Sequence, residues 1–355
     1  MTKTTDVLVL GGGFAGTTLA QELSQAGFSV TLVDRKDYFE VTFAMLRNVA
    51  DFATLKNQPR AKYADFLQGD FVHAGVTALS TEAATLDNGE TIGFSTAIIA
   101  TGSSYASMPI AKSVTALTYE ARHDEVQTAA ETLAAAKSVL IIGGGVVGVE
   151  LAGDVAYSHP HIKVTLADAG DTILSAYSEK AQRKATEQLN ALGVTIQTNR
   201  RYMPHEDGYK DAASGEEISA DLTYMAVGVK PNSAFMQPQL SHTLTERGLI
   251  QVDTFYRVKG TDNLYALGDV ADLPDLKLGA LAQTQAQTLA ANLIKARKGK
   301  SLKAHKPGPT MGIIPIGQEK GVAQLPFGTV TWKFIIDMKN KDLFIGRMMK
   351  DMGAR

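Results

Sequence analysis

Two stretches of this chain carry the residue spacing of a phosphate cradle. VLVLGGGFAG runs from Val7 to Gly16, and VLIIGGGVVGVE from Val139 to Glu150. In such a loop the first glycine (Gly11, Gly143) takes a sharp turn. Gly13 and Gly145 let the backbone approach a pyrophosphate, and Gly16 and Gly148 let helix and strand pack closely. The helix that follows offers free N–H groups and a partial positive charge to the phosphates. Gly12, Phe14 and Ala15 complete the first loop. About 20 residues further on, each copy places a carboxylate, Asp34 and Asp168, where ribose hydroxyls need an acceptor. The chemistry is dinucleotide binding, and the chain prepares for it twice.

The elements that must position these loops also repeat. VTLVD (Val30–Asp34) matches VTLAD (Val164–Asp168), and GETIGFSTAIIATG (Gly89–Gly102) matches GEEISADLTYMAVG (Gly215–Gly228) without a gap. Three matches in one order argue for two copies of one domain. Each copy opens with a short Val/Leu/Ile run, which reads as a strand buried on both faces of a parallel sheet. An Ala/Leu-rich helix follows, and Gly27 stands where a helix C-cap is expected. The fold class expected is α/β, with two tandem Rossmann-like dinucleotide-binding domains and a small C-terminal segment.

Composition removes several chemistries. The chain has 355 residues and no cysteine, so redox disulfides, cysteine nucleophiles and cysteine-ligated clusters are excluded. Its seven histidines show no metal-binding spacing. The pair in SHPHI (Ser158–Ile162) reads as a surface loop, so no metal is expected. No apolar run reaches the roughly 18 residues of a spanning helix. MTKTTDVLVL is not a signal peptide, and Thr2 is not the glycine that myristoylation needs. A cytoplasmic protein is expected, with any membrane contact peripheral, on the inner face. Net charge is −2, but residues 276–355 carry 14 Lys/Arg against 4 Asp/Glu, or +10, which leaves −12 on the rest. That asymmetry fits a face that meets something anionic, or a solvated lysine-rich surface. Nucleic acid is not an expected partner.

The paired loops resemble the two-dinucleotide-binding flavoproteins, the pyridine nucleotide-disulfide oxidoreductase superfamily. The resemblance implies FAD in the first domain and NAD(P)H in the second. TDNLYALGDVAD (Thr261–Asp272) is similar to the segment by which such chains return to the FAD domain, which makes Asp269 a candidate for the FAD ribityl or phosphate region. AIIATGSS carries Ala100, Thr101 and Gly102 at the exit from that domain, and MAVGVKPN carries Gly228 at the return. The implied boundaries are 1–110 and 233–303 for the FAD domain, 111–232 for the NAD(P)H domain and 304–355 for a C-terminal domain.

KDYFEVTFAMLR, and AHKPGPTMGIIPIGQEKGVAQLPFG followed by KNKDLF, resemble the apoptosis-inducing-factor-like, ferroptosis-suppressor branch, more distantly related to type II NADH:quinone oxidoreductases. That likeness implies an FAD-dependent NAD(P)H:quinone oxidoreductase. It places Lys36 near the FAD adenosine end, Arg47 at the flavin, Val76 among the FAD contacts, and Glu150 and Lys339 as the catalytic pair of candidates. Asp168 accepts from a 2′-hydroxyl and repels a 2′-phosphate, so NADH is expected over NADPH. The alternatives are a ferredoxin or rubredoxin reductase and a redox-responsive NADH-binding flavoprotein that acts through partners.

The C-terminal end is basic and rich in Met and aromatics. Phe344, Ile345, Met348, Met349 and Met352 share one helix face, flanked by Arg347, Lys350 and Arg355. Upstream, Trp332 stands beside Phe334, Ile335 and Ile336. Such a tail suits an anionic bilayer surface, a packed third domain or a homodimer seam.

Overall fold

The computed structural model describes residues 3–105 and 107–354. Thr2 and Arg355, both used above, lie outside the described residues. Strand Lys3–Leu10 is the centre of a seven-stranded sheet. It pairs in parallel with Val30–Asp34 on one side and Thr91–Ile99 on the other. Strand Ser138–Ile142 does the same in a four-stranded sheet, between Lys163–Ala167 and Leu222–Met225. The two copies share their register. Val7 sits opposite Val30 and Thr96, and Val139 opposite Val164 and Leu222. These are the positions the sequence matches pair. Central strands of this kind are covered on both faces, which is why VLVL and VLII are wholly buried.

The first domain is discontinuous. Strand Leu264–Ala266 returns to pair in parallel with Thr91–Ile99, and helix Gly279–Ala296 packs on the first loop helix, Phe14–Gln25. The two crossings between domains are tied together. Ser103–Tyr105 and Val229–Pro231 form an antiparallel pair, and Thr101 Oγ1 donates to the Asn232 carbonyl at 2.7 Å.

The C-terminal stretch does not form one unit. A three-stranded sheet (Gly312–Ile316, Lys320–Leu325, Gly328–Val330) and helix Lys333–Asn340 pack on the second copy, against its loop helix Val146–Ser158 and helix Glu179–Ala191. Helix Ile345–Asp351 then goes back to the first domain. Its Met face is core: Ile345, Met348, Met349 and Met352 are buried beside Leu19 and Leu289. Gln21 Nε2 donates to the Met352 carbonyl at 2.9 Å. Of the three roles that suited this tail, the structure selects packing, and the apolar face is unavailable to a bilayer. Hydrophobic burial explains this, since four large side chains find an existing cleft. Exposed apolar surface lies just upstream instead. Phe327, Trp332, Phe334 and Met338 are 53–70% exposed.

Candidate active site

Both glycine loops have the geometry the sequence implies. Gly11 and Gly143 have φ of +97° and +118°, a region costly for residues with a Cβ. A Cβ on Gly16 would lie 1.7 Å from the Gly11 carbonyl oxygen, and one on Gly148 would lie 1.9 Å from that of Gly143. Gly13 and Gly145 differ, because among the described residues nothing lies within 4 Å of a Cβ built on either. That is open space at the first turn of a helix.

Capping separates these helices from their neighbours. Helix Tyr119–Ala135 is capped by Thr118 and helix Glu179–Ala191 by Ser178, each hydroxyl accepting a backbone N–H. Among the described residues no side chain caps Phe14–Gln25 or Val146–Ser158. Their first N–H groups, those of Phe14 and Ala15 included, remain for a ligand. A dinucleotide pyrophosphate fits both cradles on these grounds.

The two acids brace the loops. Asp34 accepts from the N–H groups of Gly12 (2.5 Å) and Lys36 (2.7 Å). Asp168 accepts from those of Gly144 (2.6 Å) and Gly170 (2.7 Å). Burial pushes the Asp34 carboxyl up, opposed by its two N–H donors. Burial likewise pushes the Lys36 ammonium down; it lies 5.4 Å from the Tyr38 ring centroid. Val76 begins a strand at this end of the sheet, two residues after the Ala74 N–H that donates to the Asp34 carbonyl. Beneath the first loop, Tyr63 Oη donates to the Gly12 carbonyl at 2.6 Å. Nothing in the sequence marks Tyr63, because its only relation to Gly12 is spatial.

Against the first loop stand Ala100 and Thr101, with Gly102 and Asp269 beyond them; a Cβ on Gly11 would lie 2.6 Å from the Ala100 carbonyl oxygen. Gly102 has φ of +64° and its Asn232 tether holds the crossing in place. Asp269 Oδ2 accepts from Ser103 Oγ (2.6 Å) and Lys112 Nζ (2.8 Å). Burial alone would raise this carboxyl, but Lys112 and Ser103 hold it below the usual carboxylate range. Gln285 fixes the turn by accepting from the Gly268 N–H at 2.9 Å. Lys112 and Ser103 had no sequence signal as partners of Asp269, since each lies more than 150 residues away.

The catalytic candidates come together. Lys339 Nζ donates to Glu150 Oε1 at 2.6 Å and to the Ile313 carbonyl at 3.1 Å, with both side chains largely buried. The same ammonium lies 5.6 Å from the Phe43 ring centroid, and Phe43 stacks on Phe14 of the first loop at 5.4 Å. An unbroken series of contacts therefore runs from the first glycine loop to Glu150, the fifth residue of the second loop helix. Gly228, φ +76° with nothing within 4 Å of an added Cβ among the described residues, leaves the second cradle open beside it.

The Arg47 guanidinium donates to Asp154, to the Gly317 carbonyl and to Asn340, all within buried surroundings. Four of its five N–H groups are taken up by protein. His159 of the SHPHI loop bonds to the Ala50 carbonyl at 3.0 Å, beside the short helix that carries Arg47.

Residues 5–288 match the pyridine nucleotide-disulphide oxidoreductase family. The chain belongs to that family. It is 30% identical to ferroptosis suppressor protein 1 of Xenopus tropicalis, over 98% of this chain and 96% of the relative. It is 28% identical to apoptosis-inducing factor homolog B of Dictyostelium discoideum, over 98% and 96%. Among solved structures it superposes on NDH2 from Plasmodium falciparum in complex with NADH with a TM-score of 0.79, covering 99% and 96% of the chains at 13% identity. The family's disulfide chemistry is closed to this member, which has no cysteine.

Proposed function

We infer that the chain is an FAD-dependent NAD(P)H:quinone oxidoreductase, with FAD resident in the first cradle and the nicotinamide nucleotide visiting the second. When bound, FAD supplies the redox chemistry, taking a hydride from the nucleotide and passing two electrons to the acceptor. One observation carries the reading. Two uncapped helix N-termini with open glycines sit on sheets of identical register, and the buried Glu150–Lys339 pair spans the gap between them.

The residues divide the work. Gly11–Gly16, Asp34, Lys36, Val76, Ala100–Gly102 and Asp269 hold FAD, with Tyr63 and Lys112 as supports. Gly143–Gly148, Asp168 and Gly228 hold the nucleotide. Lys339 brings a cation to the nucleotide side, and Glu150 keeps it in place. With no cysteine to relay electrons, a small diffusible acceptor such as a quinone fits better than a disulfide.

NADH is the preferred donor. Asp168 presents a fixed carboxylate, the loop after it (residues 169–178) holds no arginine, and Arg200, which reaches it from the neighbouring strand's end, is committed elsewhere. The Arg200 N–H donates to the Asp168 carbonyl, but its guanidinium pairs with Glu216 at 3.1 Å. Asp168→Arg should move the NADPH/NADH ratio of kcat/KM toward NADPH, and an unchanged ratio would refute the assignment.

The acceptor side involves the exposed aromatic face. Phe327, Trp332 and Phe334 stack in series at 6.4 and 5.7 Å, beside an open groove of about 580 Å³ lined by Phe334, Met338 and Lys341. No helix among the described residues is long and apolar enough to cross a membrane. Helix Lys333–Asn340 turns Phe334 and Met338 outward while its Lys339 reaches Glu150. The exposed aromatics suit peripheral contact with a bilayer surface, where quinones dissolve, while the charges at this edge are mixed, with Asp337 and Asp342 beside Lys341. Liposome co-sedimentation tests this: pelleting with anionic vesicles that Trp332→Ser/Phe334→Ser abolishes is expected. Failure of the intact protein to pellet would remove the membrane, and dimerisation through this face would show as a concentration-dependent mass. Turnover with soluble quinones against a ferredoxin or rubredoxin separates the acceptor classes.

A further inference from the structure

Arg47 joins three parts of the chain that are far apart in sequence. Nε donates to Asp154 Oδ1 on the second loop helix at 3.0 Å. Nη1 donates to the Asn340 carbonyl at 3.0 Å, and Nη2 to Asn340 Oδ1 at 2.7 Å and to the Gly317 carbonyl at 3.0 Å. A guanidinium has five N–H groups, and four contacts already draw on all three nitrogens. The residue itself is 5% exposed. This is a clasp that engages four of the five N–H groups and leaves one on Nη1.

The clasp lies one step from the catalytic candidates on both sides. Asp154 follows Glu150 by one helical turn, on the same face. Asn340 follows Lys339 by one residue. Two rungs therefore link the second loop helix to the C-terminal helix: Glu150 to Lys339 directly, and Asp154 to Asn340 through Arg47. Asn340 Nδ2 also donates to the Lys320 carbonyl at 3.1 Å, which ties the end of that helix to its sheet.

We propose that Asp154, Arg47 and Asn340 form a positioning rung that holds Lys339 in register against Glu150. The proposal rests on the reading that Lys339 serves the reaction. The rung adds to the buried Ile336 and to the bond from Lys339 to the Ile313 carbonyl in fixing the azimuth of helix Lys333–Asn340, whose outer face is exposed. The charges that face Asp154 are Arg47 from the short helix Met45–Ala50, Glu150 from its own helix and Lys339 from the C-terminal helix. Burial and Glu150 push the Asp154 carboxyl up, to about 6, against Arg47 and Lys339.

The test is a mutant cycle on the full-length, FAD-loaded protein. Asp154→Asn, Asn340→Ala, Lys339→Gln and the two doubles with Lys339→Gln are compared by stopped-flow reduction of the flavin with NADH. Flavin content and the NADH half-saturation are recorded alongside. Asp154→Asn should slow reduction about tenfold, as expected for a displaced catalytic group. It should leave flavin content unchanged and cause no further loss in the Lys339→Gln background. Asn340→Ala, which keeps every charge, should show the same pattern and stands in if Asp154→Asn loses flavin. Equal losses in both backgrounds, or no loss from either variant, would overturn the rung. An unchanged rate for Lys339→Gln alone is a different result, and it would overturn the role given to Lys339.

Discussion

Asp154→Asn should flatten the pH dependence of stability while making the protein slower. The carboxyl is 3% exposed and titrates at about 6, against an ordinary value of 3.8. The folded state therefore takes up a proton more readily than the unfolded chain does. For a group raised in this way, stability is fully present below pH 3.8 and is lost as pH rises through 6. The gap of about two units corresponds to about 3 kcal/mol at 1.36 kcal/mol per unit. Most assays reach only part of that window. Between pH 5 and pH 7.5 the wild type should lose about 1 kcal/mol that the variant does not. Urea unfolding of the FAD-loaded proteins at both pH values measures it, and taking the difference between variant and wild type cancels the other titrating groups. The variant's stability relative to wild type should rise by that amount toward pH 7.5. A constant or shrinking difference would refute the reasoning, since it would mean that Arg47 and Lys339 outweigh burial.

Three further outcomes follow from the cradles. Gly16→Ala puts a Cβ 1.7 Å from the Gly11 carbonyl oxygen, so the purified protein should be colourless, whereas Gly13→Ala should fold and bind FAD weakly. Tyr63→Phe removes one hydrogen bond from the Gly12 carbonyl and should weaken FAD binding by about 0.5–1.5 kcal/mol, up to roughly tenfold in Kd by fluorescence titration. Lys112→Met removes the cation that holds Asp269 below the usual range. Burial then prevails, Asp269 protonates at higher pH, and acid release of FAD should begin at higher pH than in the wild type.

The doubled domain was legible because its signals are local. A turn that needs positive φ, a helix that must start without a cap and a strand buried on both faces each leave a mark within a few residues. The sequence matches pair Val7 with Val139 and Val30 with Val164, and the structure gives both copies one register, Val7 opposite Val30 and Val139 opposite Val164. Glu150 and Lys339 were each singled out by resemblance, yet their union across 189 positions was not foreseen. Arg47 shows the limit most clearly. Its likeness to a flavin-site arginine gave the neighbourhood, but its protein partners are 107, 270 and 293 residues away, and only packing reveals them. The Met face of the tail had the right period for a helix. Periodicity states that a face is apolar and not what it meets, and here it meets the first domain's core.

The most direct measurement of the central claim follows the two half-reactions separately under anaerobic conditions. The purified protein should be yellow, NADH should bleach the flavin absorbance, and a soluble quinone analogue should restore it fast enough to account for steady-state turnover. Flavin that stays oxidised in the presence of NADH, or that is reduced by it and then ignores every quinone while an iron–sulfur protein restores it, would contradict the account.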